Sequence, residues 1–262
     1  MPKFAANVST MFTELDEPER FRAARDAGFL AVEYLRPYAY KIAEVKQWLD
    51  DAGLEMILLN TLLGDVEKGE RGLAALPGRE AEFREIFDLA LDYASGLGAG
   101  MMHLMAGVVP DGTHIEQCEA VFVENLRSVA DLAKAKGVRI LLEPLNAQDV
   151  PGYLHSRSAD TRRIIEAVGS DNVFLQFDFY HLQIMEGNLA QGMRSNLDVI
   201  GHIQFSSVPG RHEPQHGEVN MPFLFDVVDE LGYDGWIGCE YQPKTTTLEG
   251  LSWAEPYGIA PS

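Results

Sequence analysis

The sequence predicts an α/β chain folded as a (β/α)8 barrel of the TIM type, one domain over residues 1–262. Three observations carry that prediction. Short apolar runs alternate with amphipathic stretches eight times along the chain. The 262 residues match the length of eight βα units, about 250 residues. The last four apolar runs each end on an oxygen-bearing side chain, and barrel enzymes carry their chemistry at the C-terminal ends of strands. Doubly wound folds usually stop at fewer strands and come second.

Taken in order, residues 3–8 are predicted as the first strand. A helix over 17–27 follows, with Asp16 as N-cap and Pro18 in its first turn. Residues 30–35 form strand two. The next helix, 42–52, carries Ile42, Val45, Trp48 and Leu49 on one face. Strand three is 54–60. The loop 61–78 is long for a compact domain, which suggests a functional segment such as a lid. A helix over 79–97 leads to strand four at 100–106, and a helix over 114–136 leads to strand five at 138–143. Ser158 reads as the N-cap of a helix to residue 168. Strand six is 172–178, followed by helical segments at 181–186 and 189–199. Strand seven is 201–205, and the loop 206–220 is rich in Pro, Gly, His and charge. A helix over 222–231, strand eight at 235–240 and a short helical tail complete the chain.

Composition bounds the function. Hydrophobic residues make up 46% of the chain, enough for a sizeable core. No apolar run approaches the ~20 residues of a membrane span. The first residues lack the apolar core of a signal peptide, so a cytoplasmic location is the default. Cys118 and Cys239 are the two cysteines and read as packing residues. The net charge of −19 disfavours nucleic acid as a partner. A homo-oligomer is left open. The glycines at 96, 98 and 100 precede a strand, which is the wrong place for a dinucleotide fingerprint.

The strand ends carry the chemistry. Glu143, Asp178, Gln204 and Glu240 close strands five to eight, each about one βα unit from the next. Two Glu, one Asp and an amide oxygen form a hard, all-oxygen set suited to Mg²⁺ or Mn²⁺. Glu143 and Glu240 would face each other across the barrel mouth. Opposed carboxylates beside a divalent metal suit proton abstraction next to a carbonyl, one removing a proton and the other returning it. Any one strand-end carboxylate is more often a helix cap or the partner of a Lys or Arg; four at matching positions favour a site. Glu33, in strand two, keeps the cap-or-partner reading. His181 follows Asp178 by three residues and is expected to bind a substrate hydroxyl or orient Asp178. His103, His114 and His202 read as structural; His212 and His216 lie in the strand-seven loop. Arg211, in the same loop, is the first choice for the carboxylate of a small anionic substrate. Arg36, Arg71, Arg79 and Lys244 are weaker choices.

These residues sit in longer motifs: Gly69-Glu70-Arg71-Gly72, Leu142-Glu143-Pro144-Leu145-Asn146, Asp178-Phe179-Tyr180-His181, Gly201-His202-Ile203-Gln204, Arg211-His212-Glu213-Pro214 and Trp236-Ile237-Gly238-Cys239-Glu240-Tyr241. In these the chain resembles, nearly end to end, the hydroxypyruvate isomerase family of the xylose-isomerase-like barrels. The resemblance implies isomerisation of hydroxypyruvate to tartronate semialdehyde, with Glu143 and Glu240 as the acid/base pair. Ala5-Ala6-Asn7, Met11-Phe12-Thr13-Glu14 and the stretch 105–110 look closer to the branch that isomerises 2-oxo-tetronates, so substrate length stays open. Ser206-Ser207, Gln215-His216, Arg36 and Gln242 depart from the family pattern, all on predicted mouth loops. Three other readings compete. A ketose 3-epimerase usually carries His where this chain has Gln204. An apurinic-endonuclease-like phosphodiesterase would need more histidines and a basic groove. A sugar-acid binding protein would not need opposed carboxylates.

Overall fold

The computed structural model describes residues 1–260. Eight parallel strands close into a barrel in chain order. They are β1 (Lys3–Asn7), β2 (Ala31–Glu33), β3 (Glu55–Asn60), β4 (Met101–His103), β5 (Arg139–Leu142), β6 (Val173–Asp178), β7 (Ile200–Phe205) and β8 (Trp236–Cys239). The helices are α1 (Glu17–Asp26), α2 (Ile42–Ala52), α3 (Glu80–Leu97), α4 (Ile115–Ala135), α5 (Ser158–Val168), α6 (Phe179–Met185), α7 (Leu189–Asn196), α8 (Met221–Glu230) and α9 (Thr247–Gly250). Among the described residues no helix is long and apolar enough to cross a membrane.

Side chains two apart on a strand share a face, and that parity divides the core. Phe4, Val32, Met102, Ile140 and Ile237 pack outward against the helices. Ala5, Ala31, Met101 and Leu141 pack inside the barrel, with Phe174 and Trp236 at its edge. Two residues further along those six strands come Asn7, Glu33, His103, Glu143, Gln176 and Gly238. The interior therefore changes from apolar at its N-terminal end to polar at its C-terminal end. One step higher on β6 and beyond β8 stand Asp178 and Glu240.

Several local expectations shift. Strands β2 and β4 are three residues long, shorter than the apolar runs suggest, and β2 slips register against β3 between Val32 and Glu33. Asp16 has extended backbone but makes no side-chain cap bond. Ser158 is the first helical residue of α5, and its N–H and hydroxyl instead bond the carboxylate of Glu186. α6 starts at Phe179 because Asp178 Oδ1 accepts the N–H of Tyr180 at 2.8 Å.

The loop 61–78 is a packed element. Leu73, Ala74, Ala75 and Leu76 are buried, and Gly72 bridges Ala106 in the loop after β4. The approach is close enough to require glycine on both sides. A Cβ on Gly72 would lie 2.3 Å from the Met105 carbonyl oxygen, and one on Gly107 2.6 Å from that of Gly72.

Candidate active site

The four strand-end residues lie at the C-terminal ends of β5 to β8. Asp178 and Gln204 are register partners on β6 and β7, and Gln204 pairs Gly238, two residues before Glu240. Glu143 follows directly after β5. All four are buried.

Glu143, Asp178 and His181 bring one ligand atom each within 4.8 Å of one another. The oxygens of Asp178 divide their work. Oδ1 caps α6, while Oδ2 is buried without a hydrogen-bond partner. Glu143 Oε1 is likewise buried and unpartnered. Unsatisfied buried carboxylate oxygens cost several kcal/mol each unless a cation or donor meets them. Two such oxygens in one cluster fit a divalent cation, and their hardness fits Mg²⁺ or Mn²⁺.

His181 lies in the first turn of α6. Its Nδ1 accepts the backbone N–H of Asn146 at 3.0 Å. A neutral ring therefore carries its proton on Nε2, which lies 3.7 Å from Asp178 Oδ2 and 3.9 Å from Glu143 Oε1. Burial, reinforced by Arg211, holds its pKa well below the usual range. On the far side of Glu143, His103 Nδ1 lies 3.3 Å from Oε2. Burial lowers His103 to about 3, so it too is neutral.

Arg211 is not free at the rim. Its guanidinium lies 3.1 Å from Glu240 Oε1 and 3.7 Å from Asp178 Oδ2, and 4.9 Å from the Tyr180 ring centroid. It spans the gap between Glu240 and the Glu143–Asp178–His181 cluster. Its φ is +55°, a left-handed conformation that costs a non-glycine residue energy. The backbone is held there from both sides: Arg211 N–H donates to Ser207 O at 2.9 Å, and Gln242 N–H donates to Arg211 O at 2.7 Å. Both bonds are backbone to backbone, so the side chains of Ser207 and Gln242 do not enter them. Ser206 is buried with an unpartnered hydroxyl, Gln215 bonds Gly250 O at 2.9 Å, and Arg36 is exposed.

The electrostatics match proton transfer. Burial, then the charges of Glu240 and Asp178, push Glu143 well above the carboxylate range. Burial pushes Glu240 up to about 8, against the pull of Arg211. Asp178 is raised by burial as well. A buried acid pushed up to about 8 can hold or release a proton near pH 7, and Glu143 beside it is shifted in the same direction.

Gln204 and Glu33 differ from expectation in their surroundings. Gln204 Nε2 donates to Glu33 Oε2 at 2.8 Å, and its Oε1 accepts from Gln176 Nε2 at 2.5 Å. Glu33 caps no helix and meets no Lys or Arg within ion-pair distance among the described residues; Asn7, His202 and Gln204 surround it. Its parity was the available signal. It stands two residues after the inward-facing Ala31, which puts it inside the barrel. Asn146, Asp149 and Tyr180 were also not singled out. Tyr180 Oη and Asn146 Nδ2 both donate to Asp149 Oδ2, at 2.9 and 3.0 Å, which ties the β5 loop to α6.

Residues 21–257 match the family described as xylose isomerase-like TIM barrel. A 2-oxo-tetronate isomerase of Cupriavidus necator is 49% identical over 98% of this chain and 99% of its own. The hydroxypyruvate isomerase of Escherichia coli K12 is 42% identical over 98% of this chain and 100% of its own. A Brucella melitensis structure described as an AP endonuclease, family 2, superposes with a TM-score of 0.96 at 43% identity, covering 98% of this chain and 100% of that one. The chain is an isomerase and belongs to the xylose-isomerase-like TIM barrels, in the hydroxypyruvate isomerase family, which includes the 2-oxo-tetronate isomerases.

Proposed function

We propose that the chain is a metal-dependent isomerase of a small 2-oxo acid, moving the oxo group between C2 and C3 by proton transfer through an enediolate. The observation that carries this reading is the pair Glu143 and Glu240, both buried and both raised above the carboxylate range, beside the unpartnered oxygen of Asp178.

Glu143 and Asp178 would hold a divalent cation, with Gln204 and Glu240 completing the oxygen set. When bound, the cation supplies positive charge for the oxygens of the enediolate. One glutamate takes the proton from C3, and the other delivers a proton to C2. The hydroxyl proton moves from O3 to O2, so the atoms balance. His181 presents Nε2–H toward the carboxylates and is placed to donate to a substrate oxygen. Arg211, beside Glu240 and Asp178, would offer its fork to the substrate carboxylate. The net charge of −19 leaves this local arginine to attract an anion.

The motifs divide between hydroxypyruvate and the four-carbon 2-oxo-tetronate. Relatives named 2-oxo-tetronate isomerase are 49, 46 and 44% identical, and relatives named hydroxypyruvate isomerase or putative hydroxypyruvate isomerase are 45 and 42% identical, so both substrates are carried into the test. The test is incubation of the Mn²⁺-loaded protein with each acid in deuterated water, followed by NMR. Deuterium at C2 of a 3-oxo product supports the reading, and the faster substrate sets the chain length. Label-free substrate after hours, or a ketose epimerised without oxo transfer, would overturn it.

A further inference from the structure

Glu33 belongs to the polar layer beneath the site, and the mechanism above does not use it. It is fully buried, and its Oε2 receives two amide donors: Asn7 Nδ2 at 2.9 Å and Gln204 Nε2 at 2.8 Å. Its Oε1 lies 2.5 Å from His202 Nε2. The space it occupies exists because residue 238 is glycine; a Cβ there would lie 2.0 Å from Glu33 Oε1.

A carboxylate oxygen that already accepts from Asn7 can only accept again. Gln204 must therefore turn its NH2 toward Glu33, and its carbonyl end points the other way. That carbonyl oxygen has two lone pairs. Gln176 Nε2 takes one and the other remains. An amide is nearly symmetric in shape, so without such a partner both orientations fit equally well. One turns the oxygen away from Glu33, and the other turns that way N–H groups that would repel a cation.

We propose that Glu33 is a positioning residue: by accepting from Gln204 Nε2 it fixes the amide so that its oxygen remains available to a divalent cation held at Glu143 and Asp178. This rests on the metal reading of the site. A glutamine at position 33 would keep the volume but offer one acceptor and one donor to three neighbours that now all donate. Gln204 would then sample both orientations.

The test is Mn²⁺ affinity, read from the EPR signal of the free ion at pH 7, with denaturation midpoints measured in parallel. The proteins are wild type, Glu33→Gln, Glu33→Asp, Gln204→Leu and the Glu33→Gln/Gln204→Leu double variant. Wild type is expected to bind Mn²⁺, and Glu33→Gln and Gln204→Leu each to bind about tenfold or more weakly, the range for losing an outer partner of a metal ligand. The double variant is expected to bind no more weakly than Gln204→Leu, because Glu33 acts through Gln204. Glu33→Asp keeps the acceptor-only chemistry and recovers part of the affinity, which also serves if Glu33→Gln does not fold. Wild-type affinity in folded Glu33→Gln, or additive losses in the double variant, would overturn the inference while leaving the metal reading intact. Wild-type affinity in Gln204→Leu would remove Gln204 from the metal set and the inference with it. Failure of wild type itself to bind Mn²⁺ would overturn both.

Discussion

Stripped of metal by a chelator, the protein should lose stability as pH rises from 6.5 to 8. Burial pushes Glu240 from 4.5 up to about 8, so between those values the folded state holds a proton that the unfolded state has released. Stability then falls with pH across that window, at 1.36 kcal/mol per pH unit for each such group. The buried histidines act in the opposite direction at lower pH. Burial lowers His103 and His155 from 6.5 to about 3. Their contribution grows as pH rises through that range and levels off about one unit above 6.5. From 6.5 to 8 the acids outweigh that remainder, and Glu240 alone accounts for about 2 kcal/mol there. Glu143, also raised well above its usual range, adds in the same direction. Urea midpoints of chelator-treated protein at pH 6.5, 7, 7.5 and 8 measure the slope. Glu240→Gln should flatten it, and saturating Mn²⁺ should abolish it by favouring the ionised acids. A wild-type midpoint that is flat or rising over the interval would refute the argument that burial, uncompensated, dominates these carboxyls.

Glu143→Gln and Glu240→Gln should each cut turnover by about 10² to 10⁴, the share of a positioned acid or base; steady-state rates on the better substrate decide it, and full turnover in both would remove the acid/base assignment. Asp178→Asn keeps an oxygen for the Tyr180 N–H and should cost under about 1 kcal/mol in stability, yet weaken Mn²⁺ binding. Asp178→Ala should lose both, with the helix cap worth about 0.5–2 kcal/mol in thermal denaturation. Ser206→Ala removes a buried hydroxyl that has no partner, so the denaturant midpoint should hold or rise. Gly238→Ala drives a methyl into Glu33 and should destabilise by about 1–3 kcal/mol while lowering Mn²⁺ affinity.

The barrel and the strand-end acids were legible because each leaves a local signature: a short apolar run, a breaker and one carboxylate after the run. Helix starts were less legible. Asp178 reads as a ligand or a cap; one oxygen caps α6, and the other is buried without a hydrogen-bond partner. Glu33 was hidden for a different reason. A single charged residue inside a strand reads as a surface group unless the inward parity of that strand is known, and three-residue β2 carries that signal through Ala31 alone. The pairing of Arg211 with Glu240 and Asp178 joins loops 29 or more residues apart, and no periodicity reports such a contact. The register slip within β2–β3 likewise depends on the closed barrel, not on either strand alone.

The glycine pair at Gly72 and Gly107 has a consequence for the rim. Two loops whose backbones touch without side chains between them cannot open one at a time; they detach together or not at all. Any excursion of the 61–78 segment must carry the first residues after β4 with it, and those run back along the strand to His103, against Glu143. The rim on that side then behaves as one exchange unit, so its amides should share a single opening free energy in hydrogen exchange.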